Sequence, residues 1–377
     1  FGVYMNNQSF VLHFRITKNC NANCSYCSSA MQTKLDSMTP EEARISAENT
    51  LKYWDDLGVK PKYLTIEYVG GEVTMLPIED LKALVLNVRE VFVSKGIHVT
   101  DGVQSNLIAP KRKLDEVYKL FDGRIGTSID NYTRQRKLGT SSTRYRKMLT
   151  SSLNHINKYD NKTLPAVLTI DGVNKGFILD EYHLAERESR NIVVRPVFQG
   201  GSDIVLVSES ELEKIYLELF ESWFMKGNIL LEPFNTLLKK RLEHFGLKGT
   251  VGNFCSWQSD CVDNSLSIEP NGDIYVCQEL ADHNFGKLGN IIDYSIDRDE
   301  QRKLLRRKIK IAKECGSCPY FKECQGGCMM HAIEKRLSVY AKTPYCTTWK
   351  SLFSLMDKLI SQYKLEEIES WILNNEK

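Results

Sequence analysis

Large apolar residues recur along the first part of the chain at the spacing of β-strands, and each such stretch is followed by a helical pattern. Every second residue in 10–16 is apolar, which predicts a strand with one buried face. Thr39 and Glu42 form a capping box with Pro40 in the first turn, so a helix should begin there and end near Gly58. A second helix is predicted over 76–95, and further strands at 63–68, 98–104, 124–129, 166–170 and 192–197.

Six strand–helix repeats in about 200 residues predict an α/β fold with a parallel sheet and helices outside it. Six units are too few for a closed eight-fold barrel, so we expect a partial (β/α)6 TIM-like barrel over 8–205. Chemistry in such folds lies at the C-terminal ends of the strands. Amphipathic patterns at 209–226 and 232–244 predict bridging helices within 206–253, and helical spacing predicts a final helix over 351–377.

The overall composition is that of an ordinary globular protein. Of 377 residues, 42% are hydrophobic and 26% charged, which is enough to build a sizeable core. A net charge of +2 gives no indication of a nucleic-acid or membrane partner. No apolar run approaches the ~18 residues of a membrane span, and no signal-peptide pattern opens the sequence. We therefore expect a cytoplasmic protein with neither kind of partner.

The cysteines depart from this ordinary composition because the 11 of them fall in two groups. Three lie between Cys20 and Cys27, and eight lie between Cys255 and Cys346. Disulfide frameworks suit small secreted chains, whereas this chain is large, has an odd number of cysteines and lacks a secretion signal. Binding of a metal or of a metal cluster is therefore favoured.

The first group directly follows the first predicted strand, as Cys20-x-x-x-Cys24-x-x-Cys27. Three thiolates on one loop can hold three irons of a cubane cluster and leave the fourth iron open to a cofactor. A zinc site would need a fourth Cys or His nearby, and none follows closely. With Tyr26 before the last cysteine, the loop resembles the signature of the radical S-adenosylmethionine (SAM) superfamily. The resemblance implies that SAM chelates the open iron and yields a 5′-deoxyadenosyl radical that abstracts hydrogen.

Polar residues at the ends of the next three strands resemble further elements of that superfamily. By this resemblance the end of the second strand would contact the SAM amino group, the third its ribose, and the fourth its sugar and carboxylate. Each element alone is weak, because a Gly-Gly-Glu is more often a turn and a polar strand end is often merely solvated. The residues are Gly70, Gly71 and Glu72, then Gln104, Ser105 and Asn106, then Ser128 and Asp130.

Two further details bear on the same cofactor. Arg136 occupies the place of an arginine that pairs with the SAM carboxylate in related enzymes, and Arg134 is the alternative. Val73 stands where the superfamily often has proline, so the loop after Glu72 is expected to differ slightly.

The second group of cysteines suffices for two four-cysteine 4Fe–4S clusters, and equally for two structural zinc sites. Together with the upstream loop, its spacing resembles the SPASM domain of peptide-modifying radical SAM enzymes, here over 254–350. The resemblance implies three 4Fe–4S clusters in all, two of them auxiliary, with folding coupled to cluster insertion. The first auxiliary set would be Cys255, Cys261, Cys277 and Cys328, and the second Cys315, Cys318, Cys324 and Cys346.

Enzymes of this family crosslink side chains in ribosomally made precursor peptides or oxidise a Cys or Ser of sulfatases to formylglycine. The sulfatase-maturing group has an aspartate as general base where this chain has Gln278, and an amide cannot accept that proton at neutral pH. Glu279 and Asp282 are nearby candidates for the catalytic base.

This departure favours an intrapeptide crosslink, such as a carbon–carbon cyclophane, formed with net two-electron oxidation. The expected partners are a precursor peptide and an electron donor such as flavodoxin or ferredoxin. Formylglycine formation, thioether formation and epimerisation are the alternatives within the family. A zinc-binding module is the alternative from a different class, because the cysteine spacing alone does not separate zinc from iron.

Overall fold

The computed structural model describes residues 9–28, 36–159, 163–198, 205–247, 255, 261–336 and 338–376. Its strands are β1 (Ser9–Thr17), β2 (Tyr63–Gly70), β3 (His98–Gln104), β4 (Ile125–Ser128), β5 (Ala166–Ile170), β6 (Ile192–Pro196), β7 (Leu231–Glu232), β8 (Ser265–Ile268), β9 (Asp273–Tyr275), β10 (Gly289–Asn290) and β11 (Ser295–Ile296).

The helices are α1 (Pro40–Asp56), α2 (Ile78–Val93), α3 (Lys111–Leu120), α4 (Ser142–Ile156), α5 (Ile178–Arg187), α6 (Glu209–Trp223), α7 (Phe234–His244), α8 (Cys261–Asn264), α9 (Gln278–Asp282), α10 (Arg298–Leu305), α11 (Arg307–Cys315), α12 (Phe321–Cys324), α13 (Met329–Arg336), α14 (Cys346–Ile360) and α15 (Leu365–Asn375).

The first seven strands are parallel and adjacent in chain order, with helices between successive strands. This arrangement confirms the predicted partial β/α barrel, and the short strand β7 adds to the six predicted ones. The C-terminal strands continue the same sheet, because β8 pairs in parallel with the free edge of β1 and leads into the antiparallel strands β9, β10 and β11. The cysteine-rich region therefore shares a sheet with the barrel.

The apolar face of β1 packs outward against helices, as its alternation predicted. Leu12, Phe14 and Ile16 are fully buried, and the ring of Phe10 lies 4.8 Å from that of Trp54 in α1. The opposite face of β1 points into the barrel and carries polar residues. Helices cover one face of the sheet, and the polar face is left to line a lumen.

Predicted element boundaries hold within a few residues. The capping box of α1 is present: Glu42 N donates to the Thr39 hydroxyl over 3.2 Å, and Thr39 N donates to the Glu42 carboxylate over 2.8 Å. Helix α2 begins at Ile78 rather than at 76, because Pro77 has an extended ψ of 139° that is incompatible with a helix interior.

The single helix predicted over 351–377 is wrong in one respect, because the tail folds as the two helices α14 and α15. The chain turns after Ile360, and the turn lets Trp371 pack against the barrel side of the molecule. The Trp371 ring lies 4.6 Å from that of Trp223 and 5.7 Å from that of Phe224. The free energy gained by burying these aromatic rings exceeds what continuation of one helix would contribute. Among the described helices, none combines the length and apolar character needed to cross a membrane.

Candidate cofactor site and cysteine groups

The three-cysteine loop after β1 is held in place by backbone hydrogen bonds from several parts of the barrel. Gly71 N donates to Thr17 O over 2.7 Å, and Glu72 N donates to Asn19 O over 2.7 Å. On the other side Asn23 N donates to Lys137 O over 2.7 Å, and Ser25 N donates to Gln135 O over 3.0 Å. The loop is thus fixed between the end of β2 and the segment that follows β4.

The glycine pair at the end of β2 allows this close approach. Gly70 has φ +133°, and a Cβ there would lie 2.2 Å from Thr17 O. A Cβ on Gly71 would lie 2.2 Å from Asn19 O. Any side chain at either position would displace the cysteine loop. The glycines therefore serve the packing of one backbone on another, and their predicted contact with the SAM amino group stays a prediction.

Glu72 is a buried carboxylate that joins the end of β2 to the end of β3. Its Oε1 accepts from the Ser105 hydroxyl over 2.8 Å and from the Thr74 hydroxyl over 2.8 Å. Its Oε2 accepts from Asn106 N over 2.6 Å. The amide of Asn106 in turn lies 3.9 Å from the Cys20 sulfur. Glu72, Ser105 and Asn106 therefore form one hydrogen-bonded group beside the first cysteine.

A second group joins β3 and β4 to the cysteine loop. The Gln104 amide donates to the Ser128 hydroxyl over 3.0 Å. Half-buried Arg136 donates to Ser128 O over 3.2 Å, to the Tyr145 hydroxyl over 2.6 Å, and to the Tyr26 hydroxyl. The guanidinium thereby fixes the aromatic residue of the cysteine motif to the barrel.

Asp130 shapes the segment in which Arg136 lies. Its Oδ1 accepts from Thr133 N over 3.0 Å, and Oδ2 accepts from Gln135 N over 3.3 Å. The structure thus brings the predicted cofactor residues to one edge of the sheet and connects them by hydrogen bonds. Arg134, the alternative to Arg136, is exposed, and which of the two meets SAM stays a prediction.

The loop thiols influence one another electrostatically. Although Cys20 is exposed on one side, desolvation raises the pKa of its thiol to about 11, and negative charge at Glu72, Cys24 and Cys27 adds to that shift. Thiols that repel one another when ionised are stabilised as thiolates by a shared cation. This donor set fits an iron–sulfur cluster held by three cysteines.

Three cysteines of the first predicted auxiliary set, Cys255, Cys277 and Cys328, interact electrostatically. Burial raises the pKa of Cys328 to about 12, and negative charge at Cys255 is the next contribution. Burial likewise raises the pKa of Cys277, with contributions from negative charge at Cys328 and Cys255. Cys261 opens α8 and is half-buried. Residues 251–254 and 256–260, which flank Cys255, lie outside the described residues.

The second auxiliary set surrounds a cavity of about 170 Å³. Its wall contains Cys315, Cys318, Cys324 and Cys346, together with the Trp349 ring. Within the described parts of the chain, no three Cys, His, Asp or Glu side chains converge as tightly as one ion requires. A cubane cluster places each thiolate on its own iron and so spaces them more widely than a single zinc ion does. The four cysteines predicted to form the second auxiliary set thus line one cavity.

Of the two predicted base candidates, Asp282 forms a joint between the barrel and the cysteine-rich region. Its carboxylate lies 2.7 Å from the guanidinium of Arg15, which is 1% exposed, and accepts from the Ser28 hydroxyl over 2.7 Å. Arg15 also lies 3.1 Å from Glu269. This buried network links β1, α9 and the residue that follows the cysteine motif.

Glu279, the other base candidate, faces the barrel lumen and lies 3.0 Å from Arg195 on β6. Burial raises the pKa of Glu279, and the positive charge of Arg195 opposes the shift. A carboxyl group with raised pKa in a partly enclosed site is a suitable proton acceptor. The geometry therefore favours Glu279 over Asp282.

The lumen contains a pair that the sequence reasoning missed. His13 on β1 and Glu67 on β2 are cross-strand partners whose side chains approach to 3.1 Å. The Glu67 side chain is 51% exposed, so this part of the lumen is accessible. The signal was present in the alternation of each strand, because both residues occupy inward positions between outward apolar ones.

Comparison with known proteins adds an independent line of information. No protein-family model matches the chain. A cysteine-type anaerobic sulfatase-maturating enzyme of Clostridium perfringens is 27% identical over 152 residues, a match that covers 37% of this chain and 38% of that enzyme. The match therefore spans less than half of that enzyme's length.

Solved structures match over nearly the whole chain. Native anSMEcpe with bound AdoMet and Cp18Cys peptide has a TM-score of 0.71 at 16% identity and covers 94% of this chain and 99% of that one. Streptococcus suis SuiB bound to precursor peptide SuiA has a TM-score of 0.58 at 15% identity and covers 90% and 76%. At these identities the likeness establishes the fold. The resemblance to radical SAM enzymes with a SPASM domain is confirmed in sequence and in fold.

Proposed function

We propose that this chain is a radical SAM enzyme that crosslinks two side chains of a ribosomally made peptide with net two-electron oxidation. The observation that carries the proposal is the placement of Cys20, Cys24 and Cys27 at the mouth of a partial barrel, beside the hydrogen-bonded group of Glu72 and Asn106. Peptides bound to the solved structures of anSMEcpe and SuiB support a peptide as substrate.

The loop cysteines would hold a 4Fe–4S cluster, and the two C-terminal sets would each hold another. When bound, SAM and the loop cluster supply the deoxyadenosyl radical that removes a hydrogen atom from the substrate. The Glu72 group would hold the amino group of SAM, and Arg136 would hold its carboxylate. Reduction of the clusters requires an external donor, for which flavodoxin or ferredoxin is the expected kind of partner.

The lumen residues provide the acid–base chemistry and the electrostatics. Closing a crosslink on a substrate radical releases one proton and one electron, and an auxiliary cluster would accept the electron. Glu279 would accept the proton, and Arg195, 3.0 Å away, would orient its carboxylate. His13 and Glu67 line the accessible part of the lumen and would contact the peptide side chain. Gln278 cannot serve as the base, which distinguishes this chain from the sulfatase-maturing group.

The test is anaerobic incubation of the reconstituted enzyme with SAM, a reductant and synthetic precursor peptides encoded beside the gene. We expect a peptide lighter by two hydrogen atoms, formed together with deoxyadenosine. Roughly twelve irons per chain should accompany activity, since each cluster carries about four. A colourless protein that contains zinc would contradict the proposal, as would deoxyadenosine formation without any change in every peptide offered.

Formylglycine formation is the second candidate, favoured by the sequence match to a sulfatase-maturating enzyme. The two reactions give different products. Formylglycine is an aldehyde and reacts with hydrazide probes, whereas a crosslink creates no aldehyde and resists sequential fragmentation across the closed ring. Incubation with a sulfatase-derived peptide that contains Cys or Ser, followed by hydrazide labelling, separates them.

A further inference from the structure

Arg307 is the most completely enclosed cation of the cysteine-rich region, with 0% exposure. It opens α11, and its guanidinium donates to four backbone carbonyl oxygens. Nη1 donates to Val339 O and, over 2.7 Å, to Ala341 O. Nη2 donates to Gly326 O over 3.3 Å and to Gly327 O over 3.0 Å. One side chain thus fixes two separate backbone segments.

The segment held by Nη2 is the shortest covalent link between the two auxiliary cysteine sets. Cys324 belongs to the second set and Cys328 to the first, and only three residues separate them. Those three residues, Gln325, Gly326 and Gly327, all have positive φ, at 50°, 80° and 74°. A turn of this shape is costly for residues with side chains and needs external support.

Packing leaves little room for this turn to move. A Cβ on Gly326 would lie 2.2 Å from Ile311 Cγ1, and a Cβ on Gly327 would lie 2.3 Å from Thr343 Cγ2. Thr343 N also donates to Gly326 O over 2.8 Å. The turn is therefore enclosed between α11 and the segment before Cys346, and the Arg307 guanidinium binds the carbonyl oxygens of Gly326 and Gly327.

The charge of Arg307 acts on both sets. Burial lowers the pKa of its guanidinium, whereas negative charge at Cys328 and Cys261 of the first set, and at Cys315 and Cys324 of the second, raises it. The cation lies within electrostatic range of thiolates from both candidate centres. A buried positive charge between two anionic centres favours the reduced, more negative state of each.

We propose that Arg307 is a positioning residue shared by the two auxiliary clusters, which clamps the Cys324–Cys328 turn so as to fix the spacing of the clusters and stabilises the reduced state of both. This inference rests on the proposed function, since it requires that both cysteine sets carry iron. It predicts that one substitution changes both clusters together, although they share no ligand.

The test uses full-length chain in which Cys20, Cys24 and Cys27 are replaced by Ala, so that only auxiliary iron, roughly eight atoms per chain, remains. In this background Arg307→Met removes both the positive charge and the hydrogen-bond donors of the guanidinium. Arg307→Lys keeps the charge but cannot donate to four carbonyl oxygens at once. Arg306→Met is the matched control, because Arg306 is the preceding residue and is exposed. Redox titration followed by electron paramagnetic resonance measures both midpoint potentials and the spin coupling between the reduced clusters.

We expect Arg307→Met to lower both midpoint potentials and to alter the spin coupling, and Arg306→Met to change neither. Arg307→Lys should keep potentials near those of the parent while altering the coupling. A shift confined to one cluster, or an equal shift in Arg306→Met, would overturn the inference. If Arg307→Met loses its iron, the Arg307→Lys variant provides the test. Spin coupling and midpoint potentials equal to those of the parent would then show that Arg307 does not fix the Cys324–Cys328 turn. Absence of auxiliary iron from the parent would instead contradict the proposed function.

Discussion

The two regions that carry thiols are supported by different kinds of contact. The barrel loop places its cysteines within eight residues and is tied by backbone hydrogen bonds to strand ends, among them Gly71 N to Thr17 O. The cysteine-rich region draws its thiols from distant segments joined by short helices, such as the four-residue α8 and α12. The barrel loop therefore has a shape set by the protein alone.

In the cysteine-rich region, buried thiols take the place of much of the backbone hydrogen bonding that holds the barrel loop. Burial raises the pKa of Cys324 to about 12 and that of Cys328 to about 12. Without a cation these thiols stay protonated, whereas a metal centre binds them as thiolates and contributes folding free energy. The comparison predicts that the first site is preformed and that the two C-terminal cysteine sets depend on bound metal for their stability.

The largest expected effects come from single cysteine substitutions, which should act differently in the two regions. Cys24→Ala should abolish deoxyadenosine formation, because the cluster that binds SAM is lost, while the protein remains resistant to protease. Cys328→Ala should leave the barrel intact but expose the cysteine-rich region to cleavage, because a metal centre that stabilises the fold is lost. Limited proteolysis with mass spectrometry measures both. If the two variants were equally resistant to protease, the claimed difference in metal dependence between the two regions would be wrong.

The next effect concerns the joint between the regions. Arg15→Met leaves the carboxylates of Glu269 and Asp282 buried without their guanidinium, which should cost about 3–5 kcal/mol of unfolding free energy. Urea unfolding of the reconstituted protein measures it. Arg44→Met is a control, because the Arg44 side chain on α1 is 43% exposed and its ion pair with Glu48 is worth little. A loss no greater than that of the control would mean that the joint adds nothing to stability.

This joint also marks the limit of what the sequence could predict. Alternation of apolar residues located six barrel strands, because local periodicity fixes which face of a strand is buried. The pairing of β1 with β8 brings together residues about 250 positions apart, and no local pattern encodes it. The sequence therefore predicts Asp282 as a candidate base and gives no indication of its ion pair with Arg15.

The cysteine sets show the opposite case. Their spacing predicted one set of Cys315, Cys318, Cys324 and Cys346, and these four residues line one cavity; that they hold a cluster stays a prediction. The sequence could not locate Arg307, because a cation bound to backbone carbonyls leaves no motif. Nor could it distinguish Glu279 from Asp282, since that choice depends on which side chain Arg195 or Arg15 contacts in the folded chain.

The third effect tests the acid–base role in the lumen. As a base Glu279 must be ionised, and burial raises its pKa, so crosslinking by the parent should rise with pH through that raised pKa. Glu279→Gln should remove this rise and lower the rate of crosslinking by about 100-fold. Deoxyadenosine should still form, because hydrogen abstraction needs no base.

The matched control is Glu300→Gln, which alters a carboxylate paired with Lys303 on α10, away from the lumen. Both rates in this control should equal those of the parent at every pH. If Glu279→Gln keeps the pH-dependent rise in crosslinking, another group accepts the proton, and the accessible pair of His13 and Glu67 becomes the next candidate.

The smallest effect sharpens the statement that the barrel loop is preformed. Glu72→Gln places an amide N–H where Glu72 now accepts from Ser105 or from Asn106 N, so a buried donor loses its acceptor at a cost of about 1–3 kcal/mol. Because this group forms without metal, the same loss should appear in metal-free and in reconstituted protein. Urea unfolding of both forms measures it, with exposed Glu79→Gln on α2 as control. A loss seen only in the reconstituted protein would mean that the barrel site, like the cysteine-rich one, is organised by its cluster.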